Sequence, residues 1–108
     1  MGAGGLKIVH ARREYLDELA ELVRQRFNCD AVHRRTAVVE EKFEDGTTWK
    51  GEVEVFFMAQ HPARRCYVWE SKRQGVKEVV TVLEALPHII GPATAVRAVL
   101  EKKLKLRG

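Results

Sequence analysis

The sequence predicts an α+β domain of order α-β-β-β-β-α, a four-stranded antiparallel meander with two helices packed on one face. Three observations carry this expectation. Apolar residues recur at helical spacing from Arg12 to Phe27. Four runs between Val32 and Leu86 are β-branched or strictly alternating and are divided by turn signals. After Gly91-Pro92 a second helical stripe begins.

In the first helix Leu16, Leu19, Ala20, Val23 and Phe27 form the apolar face, and Glu14, Asp17, Glu18, Glu21 and Arg24 fill the other. Asn28-Cys29-Asp30 should end it, because short polar side chains compete for backbone hydrogen bonds. Strand one is expected from Val32 to Phe43, closing at the hairpin signal Glu44-Asp45-Gly46. From Thr47 to Gln60 the sequence alternates with a period of two, which a helix cannot use. His61-Pro62 interrupts the ladder, and the third strand runs from Arg64 to about Ser71. Valine-rich Val76 to Leu86 makes the fourth, closed by Pro87. In the last helix Val96, Val99, Leu100 and Leu104 form the buried stripe, and Lys102, Lys103, Lys105 and Arg107 gather where the helix dipole favours positive charge.

The 108 residues fit a single domain, 1–108, with residues 1–9 expected as a flexible or edge-strand segment. With 45% hydrophobic and 31% charged residues, the chain is neither disordered nor collagenous. No apolar stretch approaches the ~20 residues needed to span a bilayer, and the glycine-rich start does not read as a signal peptide. Cys29 and Cys66 lack paired metal or disulfide spacing and read as reduced thiols, so a cytoplasmic protein is expected. The net charge of +4 permits attraction to anionic partners, although acidic residues are interspersed throughout.

Alternation places apolar side chains on both faces of the sheet. Val53, Val55 and Phe57 point one way from the second strand, while Phe56 and Met58 point the other. Tyr67 and Trp69 oppose Cys66 and Val68, and the fourth strand is apolar on both sides. If both helices take one face, something else covers the second: another copy of the chain, a ligand, or Leu6-Lys7-Ile8-Val9 as an added strand. A homodimer through Phe56, Met58, Tyr67, Trp69 and Leu83 is the first expectation. The alternative is that these rings shield one another on an ordinary surface.

The meander also gathers His33, Arg34, Arg35, His61, Arg64, Arg65 and His88 at one rim, a constellation able to bind phosphate or carboxylate or to move a proton. In a flat meander the outer strands lie roughly 14 Å apart, so His33 and His88 should not share a metal. No phosphate loop or nucleophile elbow is present, and no catalytic, metal or cofactor residue is assigned. Cross-strand Glu40, Glu41, Glu52 and Glu54 read as partners of neighbouring cations.

In topology the helix-strands-helix order resembles the double-stranded RNA-binding domain, which implies RNA contact by a lysine-rich start of the last helix. Here those positions are Pro92, Ala93 and Thr94. The segment His61-Pro62-Ala63-Arg64-Arg65-Cys66-Tyr67-Val68-Trp69, with Pro92-Ala93-Thr94-Ala95-Val96-Arg97-Ala98, is similar to short uncharacterised bacterial proteins, a likeness that implies no activity. The functional expectation is a homodimeric binding module. A nucleic-acid-binding domain contacting through Arg34, Arg35, His61, Arg64, Arg65, Lys72 and Arg73 is the second, and an enzyme or anion-binding protein using the rim is the third.

Overall fold

In the computed structural model the backbone is described for residues 2–73 and 75–107, and side chains for residues 12–72 and 75–102. Helix α1 (Gly2–Phe27) precedes strands β1 (Val32–Lys42), β2 (Thr48–Phe57), β3 (Arg65–Arg73) and β4 (Val76–Leu83), and helix α2 (Pro92–Arg107) follows. The strands form one antiparallel sheet in the order β1-β2-β3-β4, so the chain is an α+β meander with two helices.

Local chemistry sets the turns. Asp45 accepts hydrogen bonds from the Thr47 amide at 3.0 Å and its hydroxyl at 2.6 Å, and Gly46 takes φ 91°, so the β1–β2 hairpin closes at the predicted place. Those bonds hold the Asp45 carboxyl below its usual range. Asn28, with φ 52°, ends α1 in the left-handed region that asparagine tolerates. Thr94 anchors the start of α2. Its hydroxyl accepts from the amides of Ile90 and Gly91, each at 3.0 Å, and donates to the Gly91 carbonyl at 2.9 Å.

The helices lie on opposite faces of the sheet, not on one. Leu19, Ala20 and Val23 of α1 pack on Phe56, Met58, Cys66 and Val68. Ala95 and Val96 of α2 pack on Val39, Val53, Val55, Tyr67 and Trp69. The period of two explains the correction: with both faces apolar, a helix on each buries more than a pair on one. Arg97 fixes α2 to the outer strand, donating from Nε to Glu41 at 2.9 Å and from Nη2 to the Lys42 carbonyl at 3.0 Å. On the other side Arg26 of α1 donates to Thr81 of β4 at 2.8 Å.

Helix α1 also begins at Gly2, so residues 2–9 are helical where a flexible segment or an edge strand was expected. Extension of an existing helix costs little per residue, whereas a new strand would need a partner edge.

Cys66 is fully buried in the α1-side core, and burial pushes its thiol up to about 12; Cys29 is half-buried. A disulfide reagent should therefore titrate one thiol in the native protein and the second only on unfolding, and two equally fast thiols would contradict this packing. The sign for stability follows from the raised folded value. The contribution is intact below the ordinary thiol range near pH 9 and is lost as pH rises toward 12. Urea midpoints at alkaline pH should fall accordingly, and Cys66→Ala should flatten that fall.

Candidate functional site

The expected apolar contact surface is part of the core. Phe56 and Met58 lie beneath α1, Tyr67 and Trp69 beneath α2, and all four are at most 2% exposed. Leu83 is half-buried against the α1-side cluster. The expectation that these side chains form an open interface is therefore corrected for Phe56, Met58, Tyr67 and Trp69: the chain's own helices cover those four, because each face received its own helix, and Leu83 alone stays partly exposed.

The basic rim is divided between the two faces by a bulge. In the β1–β2 pairing His33 opposes Phe56 and Arg35 opposes Val55, so Arg34 is an extra residue. The insertion turns both His33 and Thr36 toward α1. There His33 Nε2 lies 2.8 Å, and the Thr36 hydroxyl 2.5 Å, from Oε1 of Glu54. Arg12 of α1 donates to the Thr36 oxygen at 2.7 Å and stands 3.9 Å from the second Glu54 oxygen. Glu54, only 2% exposed, is thus a buried carboxylate that is fully partnered. His33 packs edge-on to Phe56. His61 is also turned away from the arginines: its ring meets Phe27 at 5.7 Å, and its Nδ1 accepts from the Ala63 amide at 3.0 Å.

On the α2 face, Arg34, Arg35 and Arg65 converge. They line a cavity of about 350 Å³ with Phe57, Tyr67 and Ile90, and Val55 and Gly91 complete it. Its walls come from the start of β1, the end of β2, the start of β3 and the loop that leads into α2. Arg34 lies over the Phe57 ring at 4.9 Å, a stacking that orders the guanidinium. Arg65 donates to Glu84 Oε2 at 3.1 Å, and the Tyr67 hydroxyl donates to the same oxygen at 3.3 Å. Burial and the Glu84 charge raise the Tyr67 phenol, partly offset by Arg65 and Arg35, so it stays protonated and can donate. Among the described residues, Arg34 and Arg35 make no ion pair. Three guanidinium groups therefore face one carboxylate.

Of the remaining expected contacts, Arg64 is exposed in the β2–β3 turn with φ 69°. Lys72 is exposed seven residues along β3 from Arg65, about 23 Å away at strand spacing. The side chain of Arg73 lies outside the described residues. The basic set is thus split between opposite ends of the sheet. Tyr67, Glu84, Ile90 and Gly91 were not expected at the site. The signal that could have brought in the last two is the Gly91-Pro92-Ala93-Thr94 helix start, whose Thr94 hydroxyl holds the Ile90 and Gly91 amides.

A second depression, about 450 Å³, lies on the α1 face between Tyr15, Glu52, Glu54 and Glu70. Burial and a hydrogen bond to Glu70 raise the Tyr15 phenol and keep it protonated. Glu70 is also within 3.7 Å of Lys77. Among the described residues no group of three or more His, Cys, Asp or Glu could hold one metal ion, and no helix is long and apolar enough to cross a membrane.

The chain is an α+β protein with a guanidinium-lined cavity on one sheet face. No protein-family model, curated protein or solved structure matches it.

The Glu54 network has a measurable weight. Glu54→Ala leaves the Thr36 hydroxyl and the His33 ring without their buried partner and should lower unfolding free energy by about 2–3 kcal/mol in urea titrations. Glu52→Ala removes a solvated carboxylate and should change it by less than about 0.5 kcal/mol. Equal effects would mean that Glu54 is not the enclosed member of the pair.

Proposed function

We propose that this chain is a binding module for a small anion, held by Arg34, Arg35 and Arg65 in the cavity between β1, β2, β3 and the start of α2. The observation that carries the reading is that these three arginines line one open-sided cavity, with a single carboxylate, Glu84, held by Arg65. Guanidinium presents paired N–H groups in a plane that matches phosphate or carboxylate oxygens, and partial enclosure strengthens each charge-assisted bond. The volume of about 350 Å³ suits a small ligand.

The residues divide the work. Arg34, stacked on Phe57, meets the anion with an ordered plane, and Arg35 adds a second charge without having to leave a carboxylate. Arg65 is held by Glu84, so it positions one edge of the cavity while keeping donors free. Val55, Phe57 and Ile90 give an apolar wall against which the carbon part of an organic anion can rest.

Calorimetric titration with inorganic phosphate and with phenyl phosphate tests this. Both should bind, and Arg34→Ala or Arg35→Ala should each weaken binding by about 10-fold or more, as loss of a charged hydrogen bond requires. Arg35→Lys should recover only part of the loss, because an ammonium cannot form the paired contact. Arg13→Ala, an exposed arginine on α1, should leave affinity unchanged. Absence of heat and of any thermal stabilisation with either probe at millimolar concentration would defeat the reading.

A further inference from the structure

The two outer strands of the sheet have differently built edges. β1 carries the bulge at Arg34 and the charged residues Arg34, Arg35, Glu40, Glu41 and Lys42, features that discourage pairing with another strand. β4 has none of these protections along its second half. Its pairing with β3 runs without irregularity from Arg73↔Val76 to Cys66↔Leu83, and Val79-Val80-Thr81-Val82-Leu83 contain neither charge nor proline. All five are only half-buried. Helices cover the faces of the sheet, while among the described residues no strand pairs with the outer side of β4.

One hydrogen bond fixes which main-chain groups point outward. The Glu84 amide donates to the Arg65 carbonyl at 2.9 Å, so those residues form a hydrogen-bonded pair in the β3–β4 ladder. Antiparallel ladders alternate. Val82 and Val80 therefore turn their N–H and C=O groups toward β3, and Leu83, Thr81 and Val79 turn theirs outward.

We propose that two copies of this chain join antiparallel along β4, about a twofold axis at Thr81, into one continuous eight-stranded sheet. Such an axis stands perpendicular to the sheet, so opposed residues must share a face and their numbers must sum to an even value. With Thr81 opposite itself, Val79 meets the partner's Leu83 and Val80 meets the partner's Val82. Every pair among the five is then apolar or threonine to threonine. The outward groups of Val79, Thr81 and Leu83 complete about six main-chain hydrogen bonds. An axis at Val80 would instead oppose Glu78 to Val82, and an axis at Val82 would oppose Val80 to Glu84. The axis at Thr81 also sets Glu78 opposite the partner's Glu84, but Arg65 lies 3.1 Å from that carboxylate and offsets its charge. Exposed Val76 and Leu86, 67% and 73% accessible, lie toward the two ends of this edge, where the antiparallel arrangement brings the ends of the two copies together. This self-match, with apolar residues at both ends of one strand, identifies a second copy as the occupant.

Sedimentation and light scattering at about 100 µM chain should give twice the 12.3 kDa monomer mass. Thr81→Glu keeps an acceptor for Arg26 within its own chain but sets two carboxylates opposite each other at the axis. It should raise the dimer dissociation constant at least 10-fold, whereas Thr81→Val should not. Val79→Pro removes an outward donor and no bond to β3, and should also favour the monomer. In the unmodified protein, amide exchange at Val79, Thr81 and Leu83 should slow as concentration rises, while the outer edge of β1 shows no such change. A monomer at about 100 µM, or a dimer unaffected by folded Thr81→Glu or Val79→Pro, would overturn the proposal; so would concentration-independent exchange at those three amides.

Discussion

A single layer of strands with apolar side chains on both faces must be covered twice. That requirement governs the rest of the molecule. The alternation in β2 and β3 sends Phe56, Cys66 and Val68 to α1, and Val53, Val55, Tyr67 and Trp69 to α2. Neither helix can be exchanged for the other, since each fits the side chains of one parity. The cavity inherits its location from the same rule: it lies where α2 starts, on the face that α2 covers, at the end of the sheet where β1 and β3 begin.

The extra residue at Arg34 decides what chemistry each face receives. In a regular strand, residues two apart share a face, so His33 and Arg35 would have pointed together. The bulge separates them. His33 joins Thr36 on the buried carboxylate of Glu54, and Arg35 joins Arg65 and Tyr67 on the α2 side. One inserted residue thus keeps the histidine of this strand out of the arginine cluster and supplies the partners that allow Glu54 to remain enclosed.

Element types were legible because they depend on local pattern. The period of two through β2, the Asp45-Gly46 turn and the proline at the start of α2 each act within a few residues. The face assigned to each helix was not legible, because the two arrangements place the same side chains at the same spacing and differ only in how the chain connects across the sheet. Tyr67 and Trp69 show a second limit: they were grouped with Phe56 and Met58, but the β2–β3 register opposes Tyr67 to Val55 and Cys66 to Phe56, so the two rings share the face of Val53 and Val55 and lie under α2. The site was half visible. Sequence reasoning gathered Arg34, Arg35 and Arg65 at one end of the meander, but His61 and Arg64 also belong to that end, and only the bulge and the turn geometry separate them. Glu54 looked like a solvated strand residue because its partners, His33, Thr36 and Arg12, come from distant positions.

The placement of α2 also shapes how the chain can be made. Val53, Val55, Tyr67 and Trp69 emerge from a ribosome well before Ala95 and Val96, their cover, and synthesis adds roughly 5–20 residues per second. For an interval of a few seconds the nascent sheet offers one finished side and one open, aromatic side. A chaperone that recognises short apolar strands would have its opportunity then, and a premature stop within α2 would leave that side open for as long as the fragment survived.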